Sequence, residues 1–243
     1  MLDEESMDRS IFHQFPPAMA ALVHEIEKRA ETLISFAPMP HHLTQISDNK
    51  ALISIIFELR QIVSIEILVP SGSTPPLHII GHEIIHAGRT VIEEVDVLNP
   101  RDPKDAILAI AIGNDVEHLT VIPREMEHFL EAQTYWRKAF TRDLRMLWKR
   151  YSTDPFSHGI ERDLLRFWLV TNKVLPDWKG IEILRDMLQY PDRHDIADRL
   201  FADVSSASEY SHLLAAVIRS QGKQPGDFCL LDRHGVARTI PVA

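Results

Sequence analysis

Cysteine is nearly absent from this chain. Cys229 is the one thiol among 243 residues, so no intramolecular disulfide can form and the thiol content gives no sign of an oxidising compartment. Positive charge is also scarce. With 26 Lys and Arg against 35 Asp and Glu, the formal net charge is −9. That argues against a surface that follows a phosphate backbone, because nucleic-acid affinity rests on Lys and Arg displacing counterions. The densest basic stretch, Arg137 to Arg150, sets Lys138, Arg142, Arg145 and Lys149 at helical spacing among aromatics and reads as a solvated helix face. No nucleic-acid partner is expected. The most hydrophobic stretch, Ala51 to Val69, contains Glu58, Arg60 and Glu66, so it reads as core and no membrane partner is expected. Met1-Leu2-Asp3-Glu4-Glu5 lacks the basic start and apolar run of an export signal, which makes the cytoplasm the expected location. Repeats of fixed period and long low-complexity tracts are missing as well.

What is present is an ordinary globular composition, 45% hydrophobic and 25% charged, with enough length for one enlarged domain or two. Between Ala18 and Phe36, after Pro16-Pro17, Leu22, Ile26, Leu33 and Ile34 recur at helical intervals and predict a first helix. Ala51 to Phe57 and Ile62 to Val69 are rich in Ile and Val and predict neighbouring strands. Pro70 to Pro76 breaks the chain, and from Leu77 to Val97 the apolar residues return with a period near 3.6. Helical patterns then cover Lys104 to Ile122, Arg124 to Tyr151, Gly159 to Val174, Ile181 to Leu188 and Asp195 to Ser220. Phe228 to Leu231 and Val236 to Ile240 flank Asp232-Arg233-His234-Gly235 as a hairpin would. A soft boundary is expected around Ser152 to His158, dividing residues 1–151 from a mostly helical accessory region at 152–243.

Chemistry concentrates in Gly81-His82-Glu83-Ile84-Ile85-His86-Ala87, an HExxH pattern on the helix after the break. Residues i and i+4 of a helix share a face, so the imidazoles of His82 and His86 can meet one cation. Zinc takes such a pair as two corners of a tetrahedron. Glu83 would stand beside the open position as a general base. With 13 His and 17 Glu, random placement yields about 0.05 such patterns in a chain of this length, and the uncharged neighbours suit a buried helix. The competing reading is two histidines that only pack at helical spacing.

The segment resembles the active-site helix of the zincin metallopeptidases, and the likeness is confined to that helix. The metzincin extension is missing, because Arg89 and Ile92 stand where its Gly and third His would fall. A peptide-deformylase plan needs a Cys ahead of the histidines, and Cys229 lies far behind them. The gluzincin plan remains, with a third ligand on a later helix. Glu93 and Glu94 lie about 10–12 Å along the same helix and are too distant. Gly113-Asn114-Asp115-Val116-Glu117-His118-Leu119 is similar to the gluzincin Asn-Glu segment but has Asp115 directly after Asn114. The third ligand is therefore open among Glu117, the favoured residue, His118 and Asp115, and His118 could instead orient a ligating imidazole. Glu125, Glu127 and His128 read as acids and a His near a helix start after Pro123, and His78 as a helix-entry residue with a possible donor role. His41, His42, His158 and His234 read as solvated, and Tyr135 and Trp136 as core.

The resemblance implies an α+β, helix-rich, zincin-like fold in which a small sheet from about residue 43 to 69 packs on the HExxH helix. It implies a zinc-dependent hydrolase, a metallopeptidase acting on peptide or protein amides, with His82, His86 and Glu117 on zinc and Glu83 as catalytic base. The alternative is a zincin-derived binding or regulatory module whose metal site is vestigial or structural. Oligomeric state leaves no mark in the sequence.

Overall fold

The computed structural model describes residues 9–41, 51–58, 61–72, 74–154, 158–188, 193–207, 209–232 and 235–241. It is helix-rich with two small sheets, an α+β class. Two compact units divide the chain. One takes in Met1–Asp96, Arg124–Ala132 and Asp232–Val236, the other Val97–Pro123, Gln133–Leu231 and Ala237–Ala243.

In the first unit, Pro17 opens α1 (Pro17–Ala30), where the fixed φ of proline suits the first turn. Glu31, in the left-handed region at φ 54°, ends it. The expected helix to Phe36 therefore stops short, and β1 (Ile34–Pro38) follows. Its pairing is long-range: Ile34 is opposite Ile65 in a parallel ladder with β3 (Gln61–Val69), and no local pattern records that partner. The side chain of Glu27 accepts the N–H of Ile34 at 2.9 Å and fixes where the strand begins. β2 (Leu52–Glu58) pairs antiparallel with β3, as the Ile- and Val-rich runs predict, giving strand order β1-β3-β2. Residues 42–50 of the expected sheet and connection lie outside the described residues. In β3, Ile65 and Ile67 are fully buried while Glu66 between them turns away, the two-residue period of a sheet with a covered face.

Helix α2 (Leu77–Val91) covers this sheet, packing on β2, β3 and α1. It is buried nearly all round, which explains its uncharged flanks. Gly88 lets the Leu22 side chain of α1 approach closely. The expected continuation to Val97 fails at Glu94, whose φ of 55° reverses the chain, and the Val95 N–H closes back on the Arg89 carbonyl at 3.1 Å.

The second unit begins with β4 (Val97–Pro100), which pairs antiparallel with β5 (Phe228–Leu231). β5 also pairs with β6 (Ala237–Arg238), so the terminal hairpin forms and gains a third strand, with residues 233 and 234 of its loop outside the described residues. Helix α3 (Ala106–His128) is longer than predicted. Pro123 lies inside it, not at the start of the next helix, and marks where α3 passes from the second unit into the first. Proline interrupts the ladder by one bond without forcing an end when the flanking turns are held. Among the described residues α3 alone is long and apolar enough to cross a membrane. Its middle carries Asp115, Glu117 and His118, groups costly in hydrocarbon.

The chain then continues through α4 (Leu130–Thr153), α5 (His158–Val174), α6 (Gly180–Met187), α7 (Arg193–Ser206) and α8 (Tyr210–Ser220). The single helix expected from Asp195 to Ser220 is thus two, separated by extended Glu209. Phe140 sits at the centre of an aromatic cluster in this unit, with ring centroids 5.6 Å from Trp136, 5.8 Å from Phe167 and 5.9 Å from Trp178.

Candidate metal centre

Three histidines, His78, His82 and His86, follow one another at four-residue intervals on α2 and share a face of the helix. The first two are buried and His86 is half-buried. His78 is 3% exposed and His82 is 2% exposed. The Nε2 atoms of His82 and His86 approach to 3.2 Å, with ring centroids 4.9 Å apart and the planes at 72°. Two nitrogens at ~2.0–2.1 Å from one tetrahedral ion stand about 3.3 Å apart. The rings thus converge on one side of α2, at a separation that fits a shared ion and equally a direct hydrogen bond between the two imidazoles.

The other nitrogen of His82 meets a buried carboxylate. Glu125, 0% exposed, places Oε2 at 2.8 Å from His82 Nδ1 and Oε1 at 2.7 Å from His78 Nδ1. The acids after Pro123 do not start a helix: because α3 runs on through Pro123, Glu125 lies near its end and faces inward, whereas Glu127 is exposed. The Glu125–Met126–Glu127 stretch offers no signal that separates the buried acid from the solvated one. The available hint was a third histidine, His78, one turn before the HExxH pair.

Seven residues before Glu125, and so two turns back on nearly the same face of α3, stands His118, which is 9% exposed. His82 and His86 belong to the first unit, whereas His118, Glu117 and Asp115 all belong to the second. Adjacent residues on a helix diverge by about 100°, so His118 and Glu117 leave α3 on different sides, and the third position stays open among the three. The ring nitrogen Nδ1 of His118 lies 3.4 Å from the Asn114 amide, one turn earlier, and Trp136 lies 5.7 Å from the imidazole, centroid to centroid.

Glu83 is buried at 3% exposure, and its Oε2 accepts the Ile53 N–H of β2 at 2.9 Å. Burial raises its carboxyl above the usual carboxylate range, opposed by the nearby His82 and His86 and by the Ile53 bond. Glu93, rejected as a ligand from its distance along the helix, is held by Arg89 at 2.8 Å and by Arg124. His42 and His234 lie outside the described residues, and His41 is exposed. Comparison with protein-family models, curated proteins and solved structures finds no match to this chain.

Proposed function

We propose that the chain is a zincin-type, zinc-dependent hydrolase, a metallopeptidase cleaving peptide amides, with His82 and His86 as ligands, a third drawn from Glu117, His118 and Asp115, and Glu83 as the proton-transfer residue. The observation that carries the reading is the convergence of the His82 and His86 Nε2 atoms at 3.2 Å on a helix where Glu83 follows the first histidine directly. The donors are suited to zinc: neutral imidazoles such as His82 and His86 are its common nitrogen ligands, and two of them with one further protein ligand leave a fourth position for reaction. Zinc bound there would polarise a substrate carbonyl and make water a better nucleophile near neutral pH.

The remaining work falls to side chains. Glu83 accepts the proton released as water attacks and delivers it to the departing amine nitrogen. Its bond from Ile53 holds one carboxylate oxygen, and its raised pKa moves it towards the range in which a carboxylate exchanges protons efficiently near neutrality. The buried setting keeps competing water from the carboxylate.

The test combines metal content and activity. Protein purified without added zinc, then titrated, is expected to take up about one equivalent, and the loaded protein to cleave peptides in preference to small amides and esters. Glu83→Gln is expected to retain zinc and to lose about 10²–10⁴-fold in turnover. Failure to take up zinc would refute the metal site. Full activity in the Glu83→Gln protein would refute the mechanism.

A further inference from the structure

Glu125 is positioned to do more than fill space. A carboxylate with no exposure is costly unless its oxygens are satisfied, and here each lies at hydrogen-bond distance from a different imidazole on α2, Oε1 from His78 Nδ1 and Oε2 from His82 Nδ1. An ionised carboxylate only accepts hydrogen bonds, so with Glu125 charged both rings present Nδ1–H to it. For His82 this has a directional result. With the proton on Nδ1, the lone pair resides on Nε2, the atom that faces His86 at 3.2 Å.

We infer that Glu125 is a positioning residue that fixes the tautomer and ring orientation of His82, with His78 as the second anchor that holds the carboxylate in place. The inference rests on the metal-site reading for its consequence, but the tautomer itself does not require an ion. The carboxylate belongs to α3 and both rings to α2, so one group locks the two helices together at the level of the candidate ligand. His82 could otherwise rotate about its side-chain bonds or carry its proton on Nε2, and either change would block that nitrogen as a ligand. Outer partners of this kind typically account for 10–100-fold in metal affinity.

The experiment uses the full chain, with ring nitrogens of the metal-free protein assigned by long-range proton–nitrogen correlation and zinc affinity measured by chelator competition. In the wild type, His82 is expected as the Nδ1–H tautomer. Glu125→Ala is expected to lose that bias and to bind zinc about 10–100-fold more weakly while still melting cooperatively. Should Glu125→Ala fail to fold, Glu125→Gln replaces it at nearly the same volume. A single amide carbonyl then serves two N–H donors, and a smaller loss of affinity with a changed His82 or His78 signal is expected. A role confined to packing would lower the melting temperature and leave the tautomer and the zinc affinity of the folded protein unchanged. That result, or an Nε2–H tautomer of His82 in the wild type, overturns the inference. A wild type that shows the Nδ1–H tautomer but takes up no zinc would instead refute the proposed metal site and leave the tautomer assignment standing.

Discussion

Replacing Gly81 by alanine tests whether the packing beneath the candidate site is as tight as the structure requires. A Cβ built at Gly81 falls 2.3 Å from Cε2 and 2.5 Å from Cζ of Phe129, far inside van der Waals contact. The ring has little room to yield, since Phe129 is 4% exposed and stands edge-on to Phe15 with centroids 5.8 Å apart. Overpacking of this kind costs about 1–3 kcal/mol. Alanine recovers about 1 kcal/mol of helix propensity over glycine, so the net loss is about 0–2 kcal/mol. At about 2–4 °C per kcal/mol for a chain of this size, the melting temperature is expected to fall by up to about 8 °C. The strain should also reach the site, because the Phe129 N–H bonds the Glu125 carbonyl at 2.9 Å. Thermal and urea unfolding of Gly81→Ala, Phe129→Leu and the double variant give the coupling directly. Phe129→Leu is expected to cost less in the alanine background than in the wild type. Stabilisation of about 1 kcal/mol by Gly81→Ala, with no coupling, would show propensity acting alone and refute the close approach.

Two further outcomes follow from the site and its neighbourhood. Of His118→Ala and Glu117→Ala, one is expected to weaken zinc binding by more than the about 10–100-fold typical of an outer partner and so to mark the third ligand, as read by chelator competition; no loss in either would exclude both. Burial and the nearby Asp163 raise the Asp115 carboxyl to about 6 against the pull of Arg166, whose Nε lies 3.5 Å from Oδ2. A folded-state pKa above the unfolded one penalises the ionised form, so this group's cost is full above about pH 6 and fades as the pH falls towards 4. Asp115→Asn should therefore raise the urea midpoint at about pH 8 and lose that advantage by about pH 4. A variant that is less stable than wild type at the higher pH, with the deficit shrinking on acidification, would show the charge to be favourable.

The elements legible in the sequence are those whose cause is local. The strands β2 and β3 follow from β-branched runs, α2 from its apolar period after Pro75-Pro76, and the terminal hairpin from two short runs around a Gly-containing loop. The pairing of His82 with His86 belongs to the same class, because four residues of helix place both rings on one side whatever surrounds them. Tertiary contacts decided the rest. β1 and β4 are strands because distant partners, Ile65 and Leu231, complete their ladders. Pro123 does not end α3, and from that continuation comes the inward turn of Glu125. A residue type and its spacing can therefore specify the two imidazoles. What holds them depends on which face of another helix arrives, and that is settled by packing between segments more than forty residues apart.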